Sequence, residues 1–154
     1  MTIRVNIPQR APLELSYALL DVNGTLANRG QLIDGVAGLV AELRDQIEIR
    51  LLSADTFGQL DAVAAALGVE RTLVADGDDK VRVLEELGPE RCVAIGNGAN
   101  DAEMLRRAAL SIVVVGPEGA AGAALAVCDI VCSSILDALS LLRDERALAA
   151  TLRH

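Results

Sequence analysis

Aromatic side chains are almost missing from this chain. Tyr17 and Phe57 are the only two among 154 residues, and there is no Trp. With 52% apolar residues and a mean hydropathy of +0.38, the core has to be built from Ala, Val, Leu and Ile, which suits helices covering a parallel sheet. Cysteine is sparse as well. Cys92, Cys128 and Cys132 form an odd set without CxxC spacing, which argues against a disulfide framework or a zinc site and for a reducing compartment; all three are read as small core residues. Positive charge is short, with 14 Lys and Arg against 22 Asp and Glu, a net charge of −8, and no basic stripe. A dense phosphate polymer or an anionic bilayer would be repelled, so nucleic acid and membrane drop out as partners. No apolar run approaches a membrane span, and the N-terminus MTIRVNIPQR has neither the apolar centre nor the cleavage site of a secretion signal, so a soluble, cytoplasmic protein is expected. The lone histidine, His154, is terminal and read as frayed.

What the chain does have is alternation. Short β-rich runs at YALLD (17–21), IEIRLLS (47–53), TLVAD (72–76), CVAIGN (92–97), LSIVVVG (110–116) and CDIVC (128–132) are separated by segments with apolar residues at helical spacing. These are GVAGLVAELRDQ, FGQLDAVAAALG, DKVRVLEELG, NDAEMLRRAA, AAGAALAV and a terminal SILDALSLLRDERALAATLR, with Gly68 and Gly88 where helix C-caps belong. The pattern predicts an α/β fold: a doubly wound, Rossmann-like, mainly parallel sheet flanked by helices. One domain covers residues 1–154, and residues 1–16, which alternate with period two around a Pro-containing turn, are read as an N-terminal β extension.

In open parallel sheets, ligands bind beyond the carboxyl ends of the strands. The residues there are Asp21, Ser53, Asp76 and Asn97, with Asn100 and Asp101 just after and Lys80 at a helix start. One carboxylate, a hydroxyl, an ammonium and an amide–carboxylate pair suit Mg²⁺ together with phosphate oxygens, hence phosphoryl chemistry.

The same residues carry a family resemblance. DVNGTL (21–26) resembles the first motif, DxDGT(L/V), of the haloacid dehalogenase superfamily; LLSAD (51–55) is similar to its second, an apolar strand ending in Ser or Thr; Lys80 stands where the third motif's Lys would be; and AIGNGANDAEML (94–105) is similar to the fourth, GDGxND. The stretch ALSIVVVGPEGAAGAALAVCDIV also resembles the segment after that motif in the phosphorylation domain of P-type ATPases. Order and spacing fit over residues 17 to about 142. The resemblance implies that Asp21 is a nucleophile that forms an aspartyl-phosphate, that Lys80 neutralises charge beside it, and that Asp21, Gly24, Thr25, Ser53, Ala54, Lys80 and Asn100 surround the phosphoryl group. It implies Mg²⁺ held by Asp21, the backbone carbonyl of Asn23, Asn97 and Asp101. A small phosphorylated metabolite or nucleotide is the substrate class, and a homo-oligomer is compatible with it.

Two positions depart from the pattern. Asn23 stands where the family's phosphatases have an Asp that protonates the leaving group and activates water, and an amide cannot exchange that proton. Loss of such a group typically lowers rate by roughly 10²–10⁴, least for anhydride and acyl phosphate leaving groups. Asn97 stands where GDGxND has its metal-binding Asp; an amide oxygen adds no charge, so the affinity falls unless Asp101 moves in. These departures motivate the alternative of a non-catalytic binding or regulatory module. Between Leu26 and Gly35 there is room only for a short flap, and the 26 residues between Ser53 and Lys80 hold one helix and one strand, so no cap domain is expected. Locally, DGDD (76–79) reads as helix capping, with an exposed Lys80 the weaker alternative to its place in the site, and GPEGAAG (116–122) reads as a strand-to-helix turn, not a phosphate loop.

Overall fold

Leu19, Leu20, Leu51, Leu52, Ala94 and Ile95 are buried whichever way they point, because the strands that carry them have a helical layer on both faces. The computed structural model describes residues 1–154. Its centre is a six-stranded sheet with every neighbouring pair parallel. The strands are β3 (Tyr17–Asp21), β6 (Glu48–Ser53), β7 (Glu70–Leu73), β8 (Cys92–Gly96), β9 (Leu110–Val114) and β10 (Ile130–Cys132), in the spatial order β10-β9-β8-β3-β6-β7.

Alternate residues divide between two cores. Ala18, Leu20, Val93 and Ile95 face the larger, closed by α1 (Val36–Leu43), α2 (Leu60–Leu67), α6 (Ile135–Leu141) and α7 (Glu145–Leu152). Leu19, Cys92 and Ala94 face the smaller, closed by α3 (Gly77–Leu87), α4 (Ala102–Arg107) and the short α5 (Gly122–Leu125). Each fully buried Leu or Ile contributes on the order of 1.5–3 kcal/mol, so the chain forms a tight interior without aromatics.

Residues before β3 form an antiparallel ribbon, β1 (Ile3–Val5) with β2 (Leu13–Leu15), that adds Val5, Leu13 and Leu15 to the larger core. After β3 the short flap is a two-stranded hairpin, β4 (Ala27–Asn28) with β5 (Gln31–Leu32). Two segments differ from the sequence reading. The run 72–76 leaves the sheet after Leu73, because Asp76 is extended and its carboxylate takes the amide of Asp79 (3.0 Å) while Asp79 takes the amide of Ala75 (2.8 Å). This reciprocal cap starts α3 instead of prolonging β7. The terminal helical run is two helices, since the Asp144 side chain accepts from the amide of Ala147 (3.0 Å) and starts a second helix.

Candidate active site

The carboxyl ends of the motif-bearing strands converge where β3, β6 and β8 lie side by side. β3 ends at Asp21, and the next residues turn back at once: the carbonyl of Val22 accepts from the amides of Thr25, Leu26 and Ala27 (3.2, 3.0 and 3.0 Å). This tight turn folds Thr25 under Asp21. The Thr25 hydroxyl, fully buried, lies 3.2 Å from Asp21 Oδ2 and 3.3 Å from Asn97 Oδ1. A hydroxyl has one proton, so these two oxygens share a single donor and keep lone pairs to spare.

The other carboxylate oxygen meets Lys80, the only lysine in the chain. Lys80 shares the buried face of α3 with Val83 and Leu84, three and four residues on, and is 2% exposed. Its ammonium donates to Asp21 Oδ1 (2.9 Å) and Asp101 Oδ1 (2.5 Å). The cap at Asp76 sits one turn earlier, and helix phase turns Lys80 inward. Burial works against its charge, but the two carboxylates outweigh burial and raise its pKa. For Asp21, burial and the nearby Asp101 charge outweigh Lys80 and push the carboxyl up from 3.8 to about 6.

Asp101 has no exposure at all. It opens α4 and folds back so that Oδ2 accepts from the amides of Asn97 (3.1 Å) and Gly98 (2.9 Å), while Oδ1 holds Lys80. The fold-back requires glycine at the end of β8: a Cβ on Gly96 would lie 2.5 Å from Asp101 Oδ2. Asp101 thus uses both carboxylate oxygens within the protein. Its place is to hold Lys80 and the turn after β8.

Ser53 ends β6, is 3% exposed, and its hydroxyl oxygen accepts from the amide of Asp55 (2.9 Å), which leaves the O–H to donate outward. Asp55 has a positive φ of 58° and caps α2 through the amide of Leu60 (2.9 Å). Ala54 is exposed just beyond the strand.

Residues 5–109 match the haloacid dehalogenase-like hydrolase family. The chain belongs to that family. As a haloacid dehalogenase-like hydrolase it is 46% identical over 78 residues to an uncharacterized protein of Methanocaldococcus jannaschii, a stretch spanning 48% of this chain and 84% of the relative. In fold it is similar to 3-deoxy-D-manno-octulosonate 8-phosphate phosphatase of Moraxella catarrhalis, solved with magnesium, phosphate and KDO (TM-score 0.68, 21% identity, 88% of this chain and 90% of that one). The cobalt-bound form of the corresponding phosphatase of Haemophilus influenzae is also similar (TM-score 0.71, 16% identity, 88% and 91%). The catalytic domain of the CPx-ATPase CopB-B matches at TM-score 0.59 and 26% identity, over 69% of this chain and 44% of that one.

Within this hydrolase fold, the structure brings together Asp21, Thr25, Ser53, Lys80, Asn97 and Asp101, with Asn23 half-buried at the edge. Asn100 is exposed, with its backbone carbonyl against Gly77 and its side chain against Gly98. A divalent cation fits the residues present: Asp21 Oδ2 and Asn97 Oδ1 are buried oxygens short of donors, and the carbonyl of Asn23 accepts no backbone hydrogen bond. The donors are one carboxylate and two neutral oxygens. The sequence reading missed a further carboxylate, Glu118, whose Oε2 lies against Gly24. Its signal was legible in GPEG: an acid in the turn after β9, at the same carboxyl end of the sheet as the other candidates. No helix is long and apolar enough to cross a membrane.

Proposed function

We propose that this haloacid dehalogenase-like hydrolase is a Mg²⁺-dependent phosphohydrolase or phosphotransferase that works through an aspartyl-phosphate on Asp21, with a small phosphorylated compound as substrate. The observation that carries the reading is the division of labour at Asp21: Oδ1 is held by the single buried ammonium of Lys80, and Oδ2 shares the Thr25 hydroxyl with Asn97 Oδ1. A carboxylate so oriented can attack phosphorus, forming a P–O bond to Asp21 while the bond to the leaving oxygen breaks and its electron pair departs with it. Lys80 offsets the charge gathering between nucleophile and phosphoryl oxygens, and Ser53 donates to one of those oxygens. Water then hydrolyses the acyl phosphate.

Asp21, the Asn23 carbonyl and Asn97 would hold the magnesium ion, which neutralises phosphoryl charge when bound. Asn23 has no proton to give, so the reading favours leaving groups that depart as stable anions, such as acyl phosphates and phosphoanhydrides. The phosphatases solved from Moraxella and Haemophilus, with magnesium and cobalt, support a divalent cation and a phosphorylated substrate.

The test is turnover of acetyl phosphate with Mg²⁺, together with binding of beryllofluoride, in wild type and Asp21→Asn. Activity and beryllofluoride binding that both vanish in the variant support the proposal. A wild-type protein that does neither is the non-catalytic binding module that Asn23 and Asn97 also suggest.

A further inference from the structure

With Asn at residue 97, Asp21 Oδ2 is the carboxylate oxygen that stands beside Asn97 Oδ1, the two sharing the Thr25 hydroxyl, while both oxygens of Asp101 accept from Lys80 and the turn amides. Magnesium sites of this type commonly have one or two carboxylates along with waters and phosphate. An unused carboxylate lies next door. Glu118 occupies the turn after β9, where the amide of Gly119 donates to the carbonyl of Gly116 (2.9 Å) and Pro117 sets the corner. The turn is fastened to the candidate metal residue at two points: Asn97 Nδ2 donates to the carbonyl of Gly119 (3.2 Å), and the amide of Ala121 donates to the carbonyl of Asn97 (2.8 Å).

Gly24 is the floor against which this turn rests. A Cβ there would fall 2.6 Å from Asn97 Nδ2 and 3.0 Å from Glu118 Oε2, and the residue has a φ of +77°. The Glu118 carboxylate thus lies over the residue between the Asn23 carbonyl and Thr25, on the side where the Asn97 amide stands. It makes no hydrogen bond or ion pair within the protein, whereas the half-buried acid of α4, Glu103, is held by Arg106 and Arg107. An exposed carboxylate on a turn that is itself tied down can swing toward the Asn97 side chain at small entropic cost.

We propose that Glu118 supplies the second carboxylate of the divalent cation site, standing in for the charge that Asn97 does not carry. This rests on the metal-dependent reading above and adds a residue to it. Glu118 restores the charge balance that one carboxylate and two neutral oxygens leave incomplete, and it does so from a different strand end than the one that carries Asn97.

The experiment is a Mn²⁺ titration followed by electron paramagnetic resonance of the free ion, on wild type, Glu118→Gln, Asn97→Asp/Glu118→Gln and the control Glu86→Gln. The control removes the same charge from the exposed far end of α3. Glu118→Gln is expected to weaken Mn²⁺ binding at least about tenfold, Glu86→Gln to leave it unchanged, and Asn97→Asp in the Glu118→Gln background to restore it. Equal affinity of wild type and Glu118→Gln overturns the role of Glu118 and leaves the aspartyl-phosphate reading standing. Absence of Mn²⁺ binding by the wild type overturns both the site and the metal dependence, and the acetyl phosphate assay on Asp21→Asn then tests the nucleophile separately.

Discussion

Replacing Lys80 by Met removes the only positive charge from a buried pair of carboxylates. Asp21 is 8% exposed, Asp101 is not exposed at all, and Lys80 bridges them at 2.9 and 2.5 Å. Methionine preserves most of the volume and none of the charge. Breaking a buried ion pair by deleting one partner typically costs about 3–5 kcal/mol, because the remaining charge has neither water nor a counter-ion. For a chain of this size, about 2–4 °C is lost per kcal/mol, which places the expected fall in Tm at about 6–20 °C at pH 7.5.

The sign of the pH dependence is set by the groups involved. Lys80 has a raised pKa, so in the wild type its contribution is complete through the neutral range and is lost only at high pH. Asp21 already titrates at about 6 with Lys80 beside it, and Lys80→Met removes the partner that lowers that value, so the folded variant binds this proton more tightly still. The variant therefore loses stability as pH rises toward and through that value and recovers part of it on acidification. Calorimetry at pH 5.0 and 7.5 on wild type, Lys80→Met and Lys80→Met/Asp21→Asn checks this. The single variant should be more damaged at pH 7.5 than at 5.0, and the double variant should regain stability because one of the two facing charges is gone. A loss below about 1 kcal/mol at pH 7.5, or an identical loss at both pH values, would refute the claim that Lys80 is the internal counter-ion of the site.

The other expectations concern its neighbours. Asp21→Asn should abolish turnover yet stabilise the protein at pH 7.5 by up to about 3 kcal/mol: the carboxyl titrates at about 6 instead of 3.8, so the fold's stability from this group is full below about pH 4 and declines as pH rises to about 6. Denaturant unfolding across that range measures it, and an Asn variant weaker than wild type at pH 7.5 contradicts it. Asn23→Asp should raise hydrolysis of alkyl phosphates by roughly 10²–10⁴ and of acetyl phosphate far less, because only the former need a proton on the leaving oxygen; comparing kcat/KM for the two substrates decides the matter. Thr25→Val leaves Asp21 Oδ2 and Asn97 Oδ1 without their shared donor and should cost about 1–3 kcal/mol, read as a shift in the urea midpoint.

Alternating hydrophobic runs and turn residues made the parallel sheet, the flap and the absence of room for a cap legible from residue order, since strand and helix periods are local properties of the chain. DVNGTL and GNGAND likewise placed Asp21 and Asn97 at strand ends, because a motif's spacing is set by the length of one strand and one turn. Other features depended on the tertiary structure. Asp101 holds Lys80 and the turn after β8 because Gly96 lets it fold back on the amides of Asn97 and Gly98, a contact that no spacing rule encodes. Lys80 turned inward because the cap at Asp76 set the phase of α3 so that its side chain fell on the same face as Val83 and Leu84. Glu118 came beside Gly24 only because the turn after β9 is fastened to Asn97, a residue on a different strand end. Chain-local periodicity determines which elements form and which residues end them; which charges share a buried space is decided by packing between elements far apart in sequence, where desolvation makes each pairing count.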